Sequence, residues 1–158
     1  MMLRTLASSY HDDTLLIESD LVLDPAILRA CVASYGPLTA AVASYGPWMD
    51  GTVTRLAYDG TITAFLAKGS YDPRQATYYK TVNVYRLERH FTQLCLAPAV
   101  QRHLAQAGPG GYYEEVFGQL VAGGSVQVKA VVVDGWPWYE VDTADDLRVA
   151  EALFLPRG

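Results

Sequence analysis

Apolar and polar positions along the chain fall into short blocks that alternate between strand-like and helix-like periods. Thr14 to Glu18 is a continuous apolar run bounded by acids, the pattern of a strand buried on both faces of a parallel sheet. Asp24-Pro25 opens a helix with Asp as N-cap and Pro at the first helical position. Ile27, Leu28, Cys31 and Val32 make its inner face, and Gly36-Pro37 stop it. Leu38 to Ala43 reads as a strand, and a hairpin follows, with residues 51–56 and 61–66 flanking the tight-turn pair Asp59-Gly60. Tyr78 to Tyr85 carries enough β-formers for a strand, Leu87 to Leu96 reads as a helix, and Pro98 opens another to about Ala107. Gly108 to Gly111 reads as a flexible link, Tyr112 to Val121 as a helix and Val126 to Val133 as a second buried strand. Trp138 to Asp142 is extended, and Thr143-x-x-Asp146 resembles a capping box on an amphipathic helix through Phe154. Residues 2 to 10 look like the tail of a helix. Ala-Ser-Tyr-Gly-Pro occurs at 33–37 and again at 43–47, once on a helix end and once on a strand end, which does not make a solenoid. Strands interleaved with helices, plus one hairpin, predict an α/β fold with a mixed sheet.

Composition sharpens this reading. At 158 residues, 51% apolar and 18% charged, the chain is long enough for one domain with a sizeable core. A net charge of −5 argues against a nucleic-acid partner, yet leaves room for a single nucleotide held by a local basic group or a helix N-terminus. Cys31 and Cys95 lie in helical apolar patterns and read as buried free thiols. No stretch reaches the roughly 20 apolar residues of a membrane span. The first residues lack a signal-peptide core, so a cytoplasmic location is the expectation.

Two acidic motifs carry the candidate chemistry. Asp20 falls where the first strand would leave the sheet, while Glu140 and Asp142 are two apart, so on a strand both would share a face. The spacing alone also fits solvated acids at strand ends. Brought together, three carboxylates repel one another unless a cation sits between them, and a hard divalent ion such as magnesium suits oxygen ligands.

Three segments, in this order, resemble one family. They are Asp13 to Asp20, then Tyr79-Lys80-Thr81-Val82-Asn83-Val84-Tyr85, then Trp138 to Leu147. They are similar to segments of the NTP-transferases, in the branch of phosphocholine and phosphonate cytidylyltransferases. The resemblance implies a Rossmann-like, GT-A type mixed sheet with flanking helices and a β-hairpin insertion. It also implies magnesium on Asp20, Glu140 and Asp142, and transfer of CMP from CTP to a small phosphorylated or phosphonate acceptor such as phosphocholine or 2-aminoethylphosphonate. Lys80 would pair with the acceptor's phosphate, although a surface lysine with a snorkelling chain fits the same position. Asn83 lies on the opposite strand face from Lys80 by parity, so at most one of them lines the pocket unless a bulge intervenes. Tyr112, Tyr113, Trp136, Trp138 and Tyr139 would offer an aromatic cage to an ammonium group, helped by Glu114, though each ring also fits ordinary core packing. Family members begin with a strand and a glycine-rich loop carrying an Arg and, further on, a Lys, and this chain has no such segment. Residues 1–158 are therefore expected to be a single partial domain, the C-terminal portion, lacking the N-terminal nucleotide-binding strands. The upstream half would be lost, encoded as a separate polypeptide or cut off by a late start; a separate N-terminal half or a homo-oligomer would then be the partner, and the chain would turn over little alone. Two alternatives stand beside this reading: a sugar-1-phosphate nucleotidyltransferase, and a non-catalytic remnant or regulatory subunit.

Overall fold

The computed structural model describes residues 12–46, 49–72, 74, 77–107 and 111–155. The helix expected over residues 2 to 10, most of the Gly108 to Gly111 link and Pro47 of the second repeat lie outside them. The elements are β1 (Thr14–Ile17), β2 (Leu21–Leu23), α1 (Pro25–Ala33), β3 (Leu38–Ser44), β4 (Val53–Leu56), β5 (Thr61–Leu66) and β6 (Tyr79–Leu87). There follow α2 (Arg89–Phe91), a π-helical stretch (Thr92–Leu96), α3 (Ala97–Ala107), α4 (Tyr113–Ala122), β7 (Val128–Val132), β8 (Trp138–Glu140) and α5 (Ala144–Phe154).

Local chemistry sets these boundaries. The Asp24 carboxylate accepts from the Ala26 N–H at 2.7 Å, with Pro25 leading the helix. In the hairpin Asp59 accepts from the Thr61 N–H at 2.9 Å, and Gly60 takes φ 79°. Thr143 and Asp146 form the reciprocal capping box of α5. The two helices expected on either side of Pro98 are one run instead. Its turn widens to π geometry just before the proline, whose ring would clash with the carbonyl four residues back in a regular helix.

Six strands form one mixed sheet in the order β1-β6-β3-β7-β5-β4. β3 runs parallel to β7 and antiparallel to β6, and β4 also reaches the front of β6 at Val53↔Lys80, so the sheet curls back on itself. Alternate side chains of the central strands feed two cores. Leu38, Ala40 and Val42 pack with Val100, Val116 and Phe117 from α3 and α4. Ala41, Ala43, Val82 and Val84 pack with Ile27 and Cys31 from α1. Helices thus cover both faces, the α/β arrangement expected.

β1 corrects one reading. It pairs antiparallel with β6 and ends the strand order of the sheet, rather than sitting inside a parallel one. Its apolar run has another cause: Leu16 packs on one core and Leu15 on the other. β2, not foreseen, forms a separate two-stranded ladder with β8, pairing Leu21 with Glu140. That ladder joins the N-terminal acidic segment to the C-terminal one.

Candidate active site

Backbone hydrogen bonds stitch the three motif segments together. The Glu18 N–H donates to the Asn83 carbonyl at 3.2 Å, and the Val141 N–H donates to the Asp20 carbonyl at 2.8 Å. Glu18 leaves β1, Asp20 enters β2 and Glu140 ends β8. As a result, carboxylate oxygens of all three lie within 4.8 Å of one another. Asp20 Oδ1 is buried and has no hydrogen-bond partner. Each Glu18 oxygen accepts one hydrogen bond, Oε1 from the Tyr113 hydroxyl at 2.8 Å and Oε2 from Asn83 Nδ2 at 2.8 Å, which leaves lone pairs on both. Glu140 accepts from Asn83 Nδ2 at 3.0 Å, and its other oxygen lies 3.7 Å from Lys80 Nζ.

Burial pushes the Glu18 carboxyl above the usual carboxylate range, against the Tyr113 hydrogen bond, and the charges of Glu114, Asp20 and Glu140 add to the rise. Burial also raises Glu140, with Asp142 and Asp20 adding to it and Lys80 opposing. Three hard oxygen donors, one of them a buried orphan, lie together, with the Lys80 ammonium 3.7 Å from Glu140. That donor set fits a divalent cation such as magnesium.

The sequence reading and the structure differ in this cluster at two carboxylates. Asp20 and Glu140 do meet, but the third member is Glu18. Asp142 stays outside the close group, because β8 ends at Glu140 and the same-face rule no longer applies beyond it. It is exposed and helps line a pocket of about 100 Å³ with Lys80, Trp138, Tyr139 and Glu140. Glu18 was legible in principle, since it stands two residues before Asp20, the spacing applied to Glu140 and Asp142.

Lys80 and Asn83 both line a cavity of about 450 Å³, together with Glu18, Tyr112, Glu114 and Glu140. Parity forbids this on a regular strand. Here Asn83 takes φ 56°, and the β3–β6 register places one residue, Ala41, opposite three on β6, Val82 to Val84. Lys80 is 2% exposed and donates to the Thr81 carbonyl at 2.8 Å, so the snorkelling alternative is gone.

The aromatic cage is not formed. Tyr113 is buried edge-on against Tyr85 and Phe117 in one core, whereas Trp136 and Trp138 pack on the α1 core. Core packing won these rings: Tyr113 sits on the inner face of α4, Trp138 on β8, and Trp136 in the turn that joins β7 to β8. Tyr139 lies on β8 opposite Val22. Tyr112 alone of the five is largely exposed, and it lines the cavity beside Glu114, which accepts from the buried Tyr85 hydroxyl. Burial and the Glu114 carboxylate push the Tyr85 phenol well above its ordinary range. A second groove of about 380 Å³, floored by Phe65 and Gly118, continues past Tyr112, Glu114 and Glu115.

No family model matches the chain. Over 156 residues it is 32% identical to the CMP-5'-(3-aminopropyl)phosphonate synthase of Streptomyces rubellomurinus (strain ATCC 31215), a match covering 96% of this chain and 24% of that protein. Among solved structures it is similar to the inositol-1-phosphate CTP transferase from T. maritima, with a TM-score of 0.67 at 16% identity, over 96% of this chain and 59% of that one. It is similar too to the CTP:phosphocholine cytidylyltransferase from Streptococcus pneumoniae, with a TM-score of 0.68 at 11% identity, over 98% and 60%. The fold is therefore that of the nucleotidyltransferases, with the Rossmann-like mixed sheet the motifs implied. The chain spans about a quarter of the curated relative and about three fifths of the two structures.

Proposed function

We propose, taking the nucleotidyltransferase fold as premise, that this chain supplies the cation and acceptor side of a magnesium-dependent cytidylyltransferase. It would move CMP from CTP onto a small phosphorylated or phosphonate alcohol or amine, with release of pyrophosphate. The observation that carries this reading is the Glu18, Asp20 and Glu140 cluster, with its orphaned Asp20 oxygen, beside a buried Lys80 on a 450 Å³ cavity.

Asp20, Glu140 and Glu18 would hold magnesium, with Asp142 reached through water. Bound there, the ion would offset charge on the nucleotide phosphates. Lys80 donates one of its three N–H groups to the Thr81 carbonyl and has others for the anionic end of the acceptor. Removed from water, that ammonium acts more strongly than a surface one would. An ionised phosphonate or phosphate oxygen is already a nucleophile, so its attack on the α-phosphorus of CTP needs no general base. The new O–P bond forms in line as the bond to pyrophosphate breaks. At the other end of the cavity, Tyr112, Glu114 and Glu115 offer a ring face and carboxylates to an acceptor's ammonium group. The name of the relative from Streptomyces rubellomurinus, a CMP-5'-(3-aminopropyl)phosphonate synthase, supports the same acceptor class.

The test is CMP transfer from CTP to 2-aminoethylphosphonate, 3-aminopropylphosphonate and phosphocholine by the full-length protein. A natively folded protein that transfers nothing to any of them rejects the proposal. Competition of CTP against UTP and dTTP separates it from a sugar-1-phosphate nucleotidyltransferase.

A further inference from the structure

We infer that Asn83 is a positioning residue whose carboxamide clasps Glu18 and Glu140 and holds them ready for a divalent cation. This rests on the cation reading of the same cluster and extends it to a residue that would touch neither ion nor substrate.

The inventory of the amide decides the matter. It has two N–H donors and one carbonyl oxygen. Its nitrogen donates to Glu18 at 2.8 Å and to Glu140 at 3.0 Å, and its oxygen accepts from the Thr81 hydroxyl at 3.2 Å. Neither donor is left for a substrate, which revises the substrate-binding role expected from the sequence. Rotating the amide by half a turn would aim its oxygen at two carboxylates, so charge fixes its orientation. The backbone agrees. Asn83 is 6% exposed, its own carbonyl accepts from Glu18, and its φ of 56° is a conformation that asparagine and glycine tolerate best. Two carboxylates that would repel each other share one neutral donor group instead. Groups that orient ligands in this way set affinity through preorganisation.

A purely structural role is separable, because glycine suits the left-handed backbone but has no amide. The experiment measures Mn²⁺ binding to the full-length protein by the EPR signal of the free ion, for wild type and Asn83→Gly. The clasp predicts a Kd raised about tenfold or more in the glycine variant with native circular dichroism. Wild-type affinity in that variant overturns the clasp and leaves the cation reading standing, whereas a wild type that binds no Mn²⁺ overturns both. Should the glycine variant fail to fold, Asn83→Asp replaces it, since aspartate has nearly the same volume and also tolerates this backbone. Its Tm should fall in EDTA and recover in millimolar Mg²⁺, because only a cation offsets the added carboxylate. A loss that Mg²⁺ does not relieve overturns the clasp.

Discussion

Asp20 and Glu140 share one cluster but not one environment. Asp20 leaves a buried oxygen without a hydrogen bond, while Glu140 is held by Asn83 and faces Lys80. Removing either charge should therefore act on the ion more than on the fold. Asp20→Asn and Glu140→Gln are each expected to slow cytidylyl transfer by roughly a hundredfold or more in steady-state assays, since bound magnesium contributes several kcal/mol to the transition state. Their Tm in EDTA should equal or exceed that of wild type, because a repelling charge is gone. A large Tm loss with full activity would contradict the assignment. The sequence singled out Asp20, Lys80 and Glu140 as candidates. The partner of each was not, because Glu18 and Asn83 are 65 positions apart and Asn83 and Glu140 are 57 apart.

At the scale of elements, two small devices fix the local backbone. Glu88 caps the long helical run, accepting from the N–H groups of His90 and Phe91, and these bonds lower its carboxyl to about 2. A depressed folded value means the stabilisation is present above the ordinary 4.5 and is lost as pH falls toward 2. Glu88→Ala should lower stability by about 1 kcal/mol at neutral pH. The difference from wild type should shrink toward pH 2, as read from urea unfolding midpoints. Gly51 is the second device. It takes φ 94°, and a Cβ there would sit 3.3 Å from Lys80 Nζ. Gly51→Ala should destabilise the fold by about 1–3 kcal/mol and raise the acceptor KM, because it strains the turn and pushes on the ammonium. An unchanged unfolding midpoint with an unchanged KM would show that the turn adapts freely. The strands and caps here were legible because they follow local rules. The β6 bulge was not: no residue in Lys80 to Val84 announces it except an asparagine, which is compatible with many backbones.

For the molecule as a whole, the proposed cation is the lever. A cluster that repels itself when vacant should be stabilised by its ion. At Mg²⁺ a hundredfold above its Kd, mass action contributes about 2.7 kcal/mol, a Tm rise of roughly 5–10 °C for a domain of this size. EDTA should reverse it, and a Tm indifferent to both would contradict a cation site. The surface adds a second expectation. Among described residues α5 buries Ala150 alone and leaves Leu147, Val149 and Leu153 exposed. The 158-residue chain is therefore expected to self-associate in sedimentation experiments, which a clean monomer would contradict. Among the described residues no helix is long and apolar enough to cross a membrane.

What the sequence determined by itself was local: the period of each block, the caps at Asp24 and Thr143, the Asp59-Gly60 turn, the α/β class and the three motif segments. Each depends on residues within a few positions of one another, where sterics and hydrogen bonding leave few options. Tertiary structure decided the rest, namely that β1 lies antiparallel on β6 and that β2 meets β8. It also decided that Glu18 joins Asp20 and Glu140 in place of Asp142, and that a left-handed Asn83 lets Lys80 and its own amide face one cavity. Those outcomes follow from which distant surfaces bury each other, and that choice is made by the summed packing of both cores rather than by any single stretch of chain.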